Sequence, residues 1–267
     1  MSVHSVSKRG RRPQNEDTHN IILNIDGTDK TIAPINFFGL YDGHGGKHIS
    51  EFLSNNLPKF FTDTRVKYPV VNNYVMSVYD HFQNVLKTKY EKISTNCGST
   101  CLVAIQFERR GKNYLNVLNT GDSRCVLCTD NFAVSLTKDH KPGWPEEMLR
   151  IKKLGGKIYF DGHDWRIGDL SVSRAFGDIE SEPYVTNRPE IFTHRLTKSD
   201  KFMVLGCDGL WDVMSNQDVV NYVLESCYDI DSGMRINKRI NIAKQLADLA
   251  ILKGSGDNIT IVIVFFD

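Results

Sequence analysis

Long apolar runs are missing from this sequence. The longest, Ile259 to Phe266, spans eight residues, well short of the roughly 20 a membrane-crossing helix needs. Charge of one sign is missing too: 33 Lys+Arg against 32 Asp+Glu leave a net +1. No overall field therefore points to nucleic acid or to an anionic membrane. Met1 to Arg12 is polar and basic and has no apolar stretch, so no secretory signal is readable. Six cysteines in 267 residues are sparse. Without an export signal they read as reduced thiols of an intracellular protein, cytoplasmic or nuclear. No internal repeat and no Pro/Gly/Ser-rich linker divides the chain, and no surface stripe demands a second copy. One domain over 1–267, present as a monomer, is the expectation.

Hydrophobic residues at 40% and charged residues at 24% suit a globular chain with a sizeable core. Alternation and β-branched runs predict strands near 19–25, 35–41, 99–108, 113–120, 123–129, 157–161, 190–195, 201–206 and 259–266. Asp26-Gly27, Gly111-Lys112 and Gly121-Asp122 are turns too short for parallel crossovers, so the sheets should be largely antiparallel and joined by hairpins. Helical periodicity is clearest over 70–92 and over 237–252, the latter through Ile240, Ala243, Leu246, Ala247 and Ala250. Shorter helices are expected at 46–61, 145–154 and 216–227, the last capped by Ser215 or Asn216. Antiparallel strands interspersed with paired helices give an α+β class, with the stacking of layers left open.

Several chemistries are excluded by spacing. A thiol phosphatase needs an arginine six residues after its cysteine, and the six candidate positions hold Val103, Phe107, Asn131, Val134, Val213 and Gly233. Cys125 and Cys128 lack a second pair at zinc spacing and would point to opposite faces of a strand, so core packing is expected of them. There is no Walker or dinucleotide fingerprint; Gly254-Ser255-Gly256 follows a helix and lacks the third glycine.

What the sequence has instead is carboxylates at loop positions: Glu16-Asp17, Asp42 inside Asp42-Gly43-His44-Gly45-Gly46, Asp122, Asp178, Asp208 inside Asp208-Gly209-Leu210-Trp211-Asp212, and Asp257-Asn258. Asp42 and Asp208 each end an apolar strand, at the edge of the core, where a charge needs a partner. Convergence of several would make a hard oxygen site suited to Mg²⁺ or Mn²⁺. Taken singly, each Asp-Gly is more often a turn than a ligand; taken together, the residues leave both readings open. Arg12, shortly before Glu16-Asp17, offers a planar fork suited to phosphate. His44, next to Gly43 and near Asp42, could donate a proton to a leaving oxygen. The other seven histidines receive no role.

Taken in order, these motifs resemble one family, the metal-dependent type 2C (PPM family) protein Ser/Thr phosphatases. The matching pieces are Arg12 with Asn15-Glu16-Asp17, Phe38 to Gly46, Gly98-Ser99-Thr100, Asn119 to Arg124, Asp139 to Pro142, Leu170 to Asp178, Cys207 to Val213 and Ser255 to Thr260. They span nearly the whole chain. The resemblance implies a four-layer αββα sandwich, two antiparallel sheets face to face with helix pairs outside, and a flap subdomain at about 141–190. It also implies a centre of two Mg²⁺ or Mn²⁺ ions. Asp42 should bridge them, with Asp208 and Asp257 completing one shell and Glu16 and the Gly43 carbonyl holding the second ion. Asp122 with Asp208 matches a third, weaker position. Asp17 should position the attacking water, Arg12 bind phosphate, and His44 act as general acid, in an in-line attack without a covalent intermediate.

The resemblance thus predicts metal-dependent hydrolysis of phosphoserine and phosphothreonine in a phosphoprotein substrate. Two other readings stand beside it: a phosphatase-like binding module, which would typically have lost ligands retained here, and hydrolysis of small phosphorylated metabolites. Trp165 to Leu170 is about one residue tighter than in many members, a departure that touches specificity. Almost nothing lies beyond the catalytic stretch, so no targeting or regulatory extension is read.

Overall fold

This computed structural model describes residues 1–25, 35–63, 65–229, 231–237 and 240–266; the Asp26-Gly27 turn lies outside them. Two five-stranded antiparallel sheets dominate. One runs in the order Ser2–Lys8, Ile259–Phe265, Asp200–Gly206, Arg124–Thr129, Phe132–Ser135. The other runs Glu190–Arg195, Lys112–Thr120, Cys101–Arg109, Ile35–Tyr41, Thr18–Ile25. The two-residue period of a strand divides each sequence between two faces. Val262 and Val264 meet Leu102 and Ala104 between the sheets. Ile259, Ile261, Ile263 and Phe265 face outward onto helices Asn216–Cys227 and Ile242–Leu252. Cys101, Val103 and Ile105 face outward onto helices His48–Asn56 and Asn72–Lys89. The layers are therefore helix, sheet, sheet, helix, as the resemblance implied. Cys125 belongs to the inner core and Cys128 to an outer one, and all six cysteines are buried and unbridged.

The local signals largely hold. Arg110 and Gly111, both at positive φ, close the hairpin between strands Cys101–Arg109 and Lys112–Thr120. Ser215 caps its helix through a capping box: its Oγ accepts from the Asp218 amide, and Asp218 Oδ2 accepts from the Ser215 amide. Three expectations need correction. The Gly121-Asp122 link is not a hairpin; it carries the chain from one sheet to the other, which puts Asp122 at the end of the sandwich. The last helix starts at Ile242, because Asn241 takes the cap and accepts from the Lys244 amide; Ile240 stays exposed ahead of it. The strand expected at 157–161 shrinks to Tyr159–Phe160, paired with Trp165–Arg166.

The edge strands Ser2–Lys8 and Phe132–Ser135 were not expected: the first has no apolar run and the second only the three residues Phe132-Ala133-Val134. Ile151, Ile167, Val172, Ala175 and Val185 form a small separate core within the 141–190 segment. No helix among the described residues is long and apolar enough to cross a membrane.

Candidate active site

Every carboxylate singled out for chemistry comes to one end of the sandwich. There, strands Ile35–Tyr41, Lys112–Thr120 and Asp200–Gly206 run out just before Asp42, Asp122 and Asp208, and Ile259–Phe265 begins just after Asp257. Arg12, Glu16, Asp42, Gly43, His44, Asp122, Asp208 and Asp257 line a cleft of about 600 Å³. Asp17 lies beneath its floor, 6% exposed. Carboxylate oxygens of Asp42, Asp122 and Asp208 lie within 4.8 Å of one another, as do ligand atoms of Asp17, Asp42 and Cys207. Asp42 alone belongs to both groups. Glu16 and Asp257 face the same cleft at its rim.

Backbone contacts fix the floor. The Asp42 amide donates to Thr100 Oγ1 at 3.1 Å, and the Thr100 amide donates to the Asp42 carbonyl at 2.9 Å. A Cβ on Gly43 would stand 2.4 Å from the Glu16 carbonyl oxygen, so only glycine lets these two segments meet. Asn258 pins the Arg12 loop: it donates to the carbonyls of Arg9 and Gln14 and accepts from the Glu16 amide at 2.8 Å.

The electrostatics favour a positive charge at this centre. Burial first, then Asp208, Asp17, Asp122 and Asp257, push the Asp42 carboxyl well above its usual range. Asp208 rises for the same reasons, burial ahead of Asp122, Asp212 and Asp257. Burial pushes Asp17 and Asp122 up to about 6. Neither oxygen of Asp17 has a hydrogen-bond partner among the described residues, nor does Asp122 Oδ2, whose nearest cation is Lys141 Nζ at 3.5 Å. Orphaned, mutually repelling oxygens fit divalent cations of the Mg²⁺ or Mn²⁺ type. Cys207 fits less well: burial pushes its thiol well up, and a protonated sulfur is a poor ligand for a hard ion.

A pH dependence follows. These carboxyls hold protons more tightly folded than unfolded, so a cation must displace protons to bind. Stabilisation by Mn²⁺, read as the Tm difference between metal-loaded and EDTA-treated protein, should be large at pH 7.5 and shrink as pH falls through about 6. A difference independent of pH from 7.5 to about 5 would count against this site as the one that takes the metal.

His44 occupies a short three-stranded sheet in which Gly98–Ser99 pairs with both Gly43–His44 and Phe176–Gly177. Its Nε2 lies 2.7 Å from Asp178 Oδ2, and Asp178 is 2% exposed. Burial alone would lower the imidazole, but the Asp178 carboxylate overrides it and raises it. Gln83 locks the strand carrying Asp178, donating to the Gly177 carbonyl at 2.9 Å and accepting from its amide at 3.0 Å. Arg12, half-exposed and lining the same cleft, reaches Asp257 Oδ2 at 2.7 Å.

The family profile described as Protein phosphatase 2C matches residues 1–259. The chain belongs to the protein phosphatase 2C family. It is 43% identical over 168 residues to a PP2C-like domain-containing protein, R307, of Acanthamoeba polyphaga mimivirus, a match covering 57% of this chain and 94% of that one. It is 36% identical over 269 residues to a probable protein phosphatase 2C, number 71, of Arabidopsis thaliana, covering 98% of this chain and 54% of that longer protein. Among solved structures it superposes on a serine-threonine phosphatase 2C from Toxoplasma gondii with a TM-score of 0.81 and 25% identity, covering 99% and 94% of the two chains.

Within this phosphatase 2C chain, sequence reasoning gave Asp178 and Lys141 no role, although both stand inside quoted motifs. Their signal was a charged residue in a motif with no stated partner. Arg166 and Asp169, from the 141–190 segment, also line the cleft. His140, left without a role, is structural: its Nδ1 accepts from the Gly121 amide at 3.1 Å, and burial lowers it to about 3, so it stays neutral beneath the Asp122 loop. Gly98 has a reason to be glycine, since a Cβ there would lie 2.2 Å from Asp178 Oδ2 and 2.5 Å from His44 Nε2. Gly98→Ala should therefore separate the pair and cut kcat about tenfold or more while Mn²⁺ affinity holds. Unchanged kcat in the folded variant would show that the pair's alignment is unimportant.

Proposed function

We propose that this chain hydrolyses phosphoserine and phosphothreonine in proteins through a divalent-cation centre built on Asp42. The observation that carries the reading is the position of Asp42 in both ligand groups, in a cleft that Arg12 and His44 also line. Asp42, Asp208 and Asp257 would hold one Mg²⁺ or Mn²⁺ ion, and Asp42, Glu16 and the Gly43 carbonyl a second; Asp122 with Asp208 offers a third place. When bound, such a pair of cations lowers the pKa of water and neutralises charge on the phosphoryl oxygens.

The chain's own residues supply the rest. Arg12, 58% exposed and already reaching over the cleft, presents its fork to the phosphate and sets it for in-line attack. Asp17, buried beside Asp42 and Cys207, orients the attacking water. His44, kept protonated by Asp178, gives its proton to the departing Ser or Thr oxygen, which leaves poorly without one. Water attacks directly, so no covalent intermediate forms. We read the 141–190 segment, with its own small core, as a flap that shapes the cleft. Six buried, unbridged thiols support an intracellular setting, and we take the chain to act as a monomer.

The test is hydrolysis of a phosphothreonine peptide with Mn²⁺ or Mg²⁺, before and after EDTA, beside a panel of small phosphorylated metabolites. Metal-dependent turnover favouring the peptide is expected. Faster turnover of a metabolite would reassign the substrate, and no turnover by folded, metal-loaded protein would turn the reading to a binding module. Arg12→Ala should raise KM about tenfold or more with a smaller change in kcat. An unchanged KM would remove Arg12 from phosphate binding.

A further inference from the structure

The net charge of +1 conceals a second, oppositely charged site. At the other end of the two sheets lies an open groove of about 950 Å³ lined by Lys112, Arg195, Lys198, Lys201 and Arg235. These five cations come from three stretches far apart in sequence: the 110–111 hairpin, the loop between strands Glu190–Arg195 and Asp200–Gly206, and the turn after helix Asn216–Cys227. Strand Asp200–Gly206 joins the two ends, running from this groove to the residue pair before Asp208, roughly 20 Å along its length.

Among the described residues one carboxylate lines the groove, Asp200, and it is turned away. Its side chain is fully buried, and its Oδ2 accepts from the Thr197 amide at 2.7 Å, from Thr197 Oγ1 at 3.1 Å and pairs with His194 Nε2 at 3.1 Å. Among the described residues, Lys112, Arg195, Lys198 and Lys201 enter no ion pair. Two of the five cations are held in place by aromatic rings: the Arg235 guanidinium lies 3.5 Å from the Phe265 ring centroid, and Lys201 Nζ lies 5.0 Å from that of Tyr228. Two anchored cations and three free ones, with the half-buried Leu196 and the exposed Met234 lining the same groove, make a surface that favours acidic groups spaced along an apolar backbone. Like charges gathered in a concave site repel one another and focus a positive potential outward, so the groove gains most from an anion that spans it.

We infer that this groove is a docking site for an acidic peptide segment of another protein, separate from the catalytic cleft. The charge complement and the apolar residues between the cations favour a peptide over a bare phosphate, which would engage one or two cations and leave the rest unopposed. The inference does not rest on the catalytic reading, because binding here is measured without turnover.

The experiment is fluorescence anisotropy of a labelled peptide of alternating Glu and Leu, titrated with the full chain at about 0.1 M and about 1 M salt. Saturable binding is expected at the lower salt and its loss at the higher one. Arg195→Glu with Lys198→Glu should weaken binding about tenfold or more, and the milder pair Lys112→Gln with Lys198→Gln should weaken it less. The groove variants should keep the wild-type Tm and circular-dichroism spectrum, which checks folding. Asp42→Asn should bind the acidic peptide as the wild type does. The inference is overturned by equal binding of a Gln/Leu peptide or by undiminished binding in the charge-reversed variant. It is overturned too by displacement of the peptide with inorganic phosphate at matched ionic strength, or by tighter binding of a single-stranded RNA oligonucleotide under the same conditions.

Discussion

Asp42→Asn is expected to reduce phosphopeptide hydrolysis at least about a thousandfold and to raise the Tm of the metal-free protein. Both effects have one cause. Loss of solvent around Asp42, then the charges of Asp208, Asp17, Asp122 and Asp257, push its carboxyl well up. In the absence of a cation its charge is a liability, and a neutral isostere relieves it. That same charge is what draws the cation, so the variant should also lose most of the Tm gain on adding Mn²⁺. Activity and metal-free stability thus move in opposite directions. A variant that loses activity together with metal-free stability would be a folding mutant and would count against this explanation.

Asp178→Asn is expected to lower kcat about a hundredfold near neutral pH with little change in KM or Mn²⁺ affinity. In the wild type, burial pulls the His44 imidazole down and the Asp178 carboxylate, 2.7 Å away, more than restores it. The folded value lies above the unfolded 6.5. The stabilisation contributed by the pair is therefore present in full below about 6.5 and is lost as pH rises through the raised value. With Asn at 178 the burial remains and the anion is gone, so the imidazole gives up its proton at lower pH. The alkaline limb of the kcat profile should move to lower pH. The deficit should nearly vanish for p-nitrophenyl phosphate, whose leaving oxygen needs no proton. An unmoved alkaline limb, or an equal loss on both substrates, would deny Asp178 this role.

The sheets and the metal-ligand candidates were legible because local chemistry and global fold agree at those places. Val262 and Val264 alternate with Ile261 and Ile263, and the alternation sorts them into different layers. Asp42 and Asp208 follow apolar strands that all end on one side of the sandwich. Less legible were features that depend on partners remote in sequence. Ser2–Lys8 becomes a strand because Ile259–Phe265 offers it a full antiparallel ladder, not because its own residues favour one. The short Gly121-Asp122 link looks like a hairpin until the two strands it joins fall in different sheets. Asp178 lies 134 residues from His44, and nothing in either motif announces the pairing. The basic groove at the far end is assembled from segments distant in sequence, and the balanced total of 33 Lys+Arg and 32 Asp+Glu conceals it.

Counting the ions tests the account most directly. Mn²⁺ binding to folded protein, followed by electron paramagnetic resonance of the free ion at pH 7.5, should give two saturable sites in the wild type, with any third clearly weaker. Asp42→Asn, which removes the carboxylate that the two proposed sites would share, should lose both. No saturable binding by the wild type, or an unchanged stoichiometry in Asp42→Asn, would contradict a shared centre built on that residue.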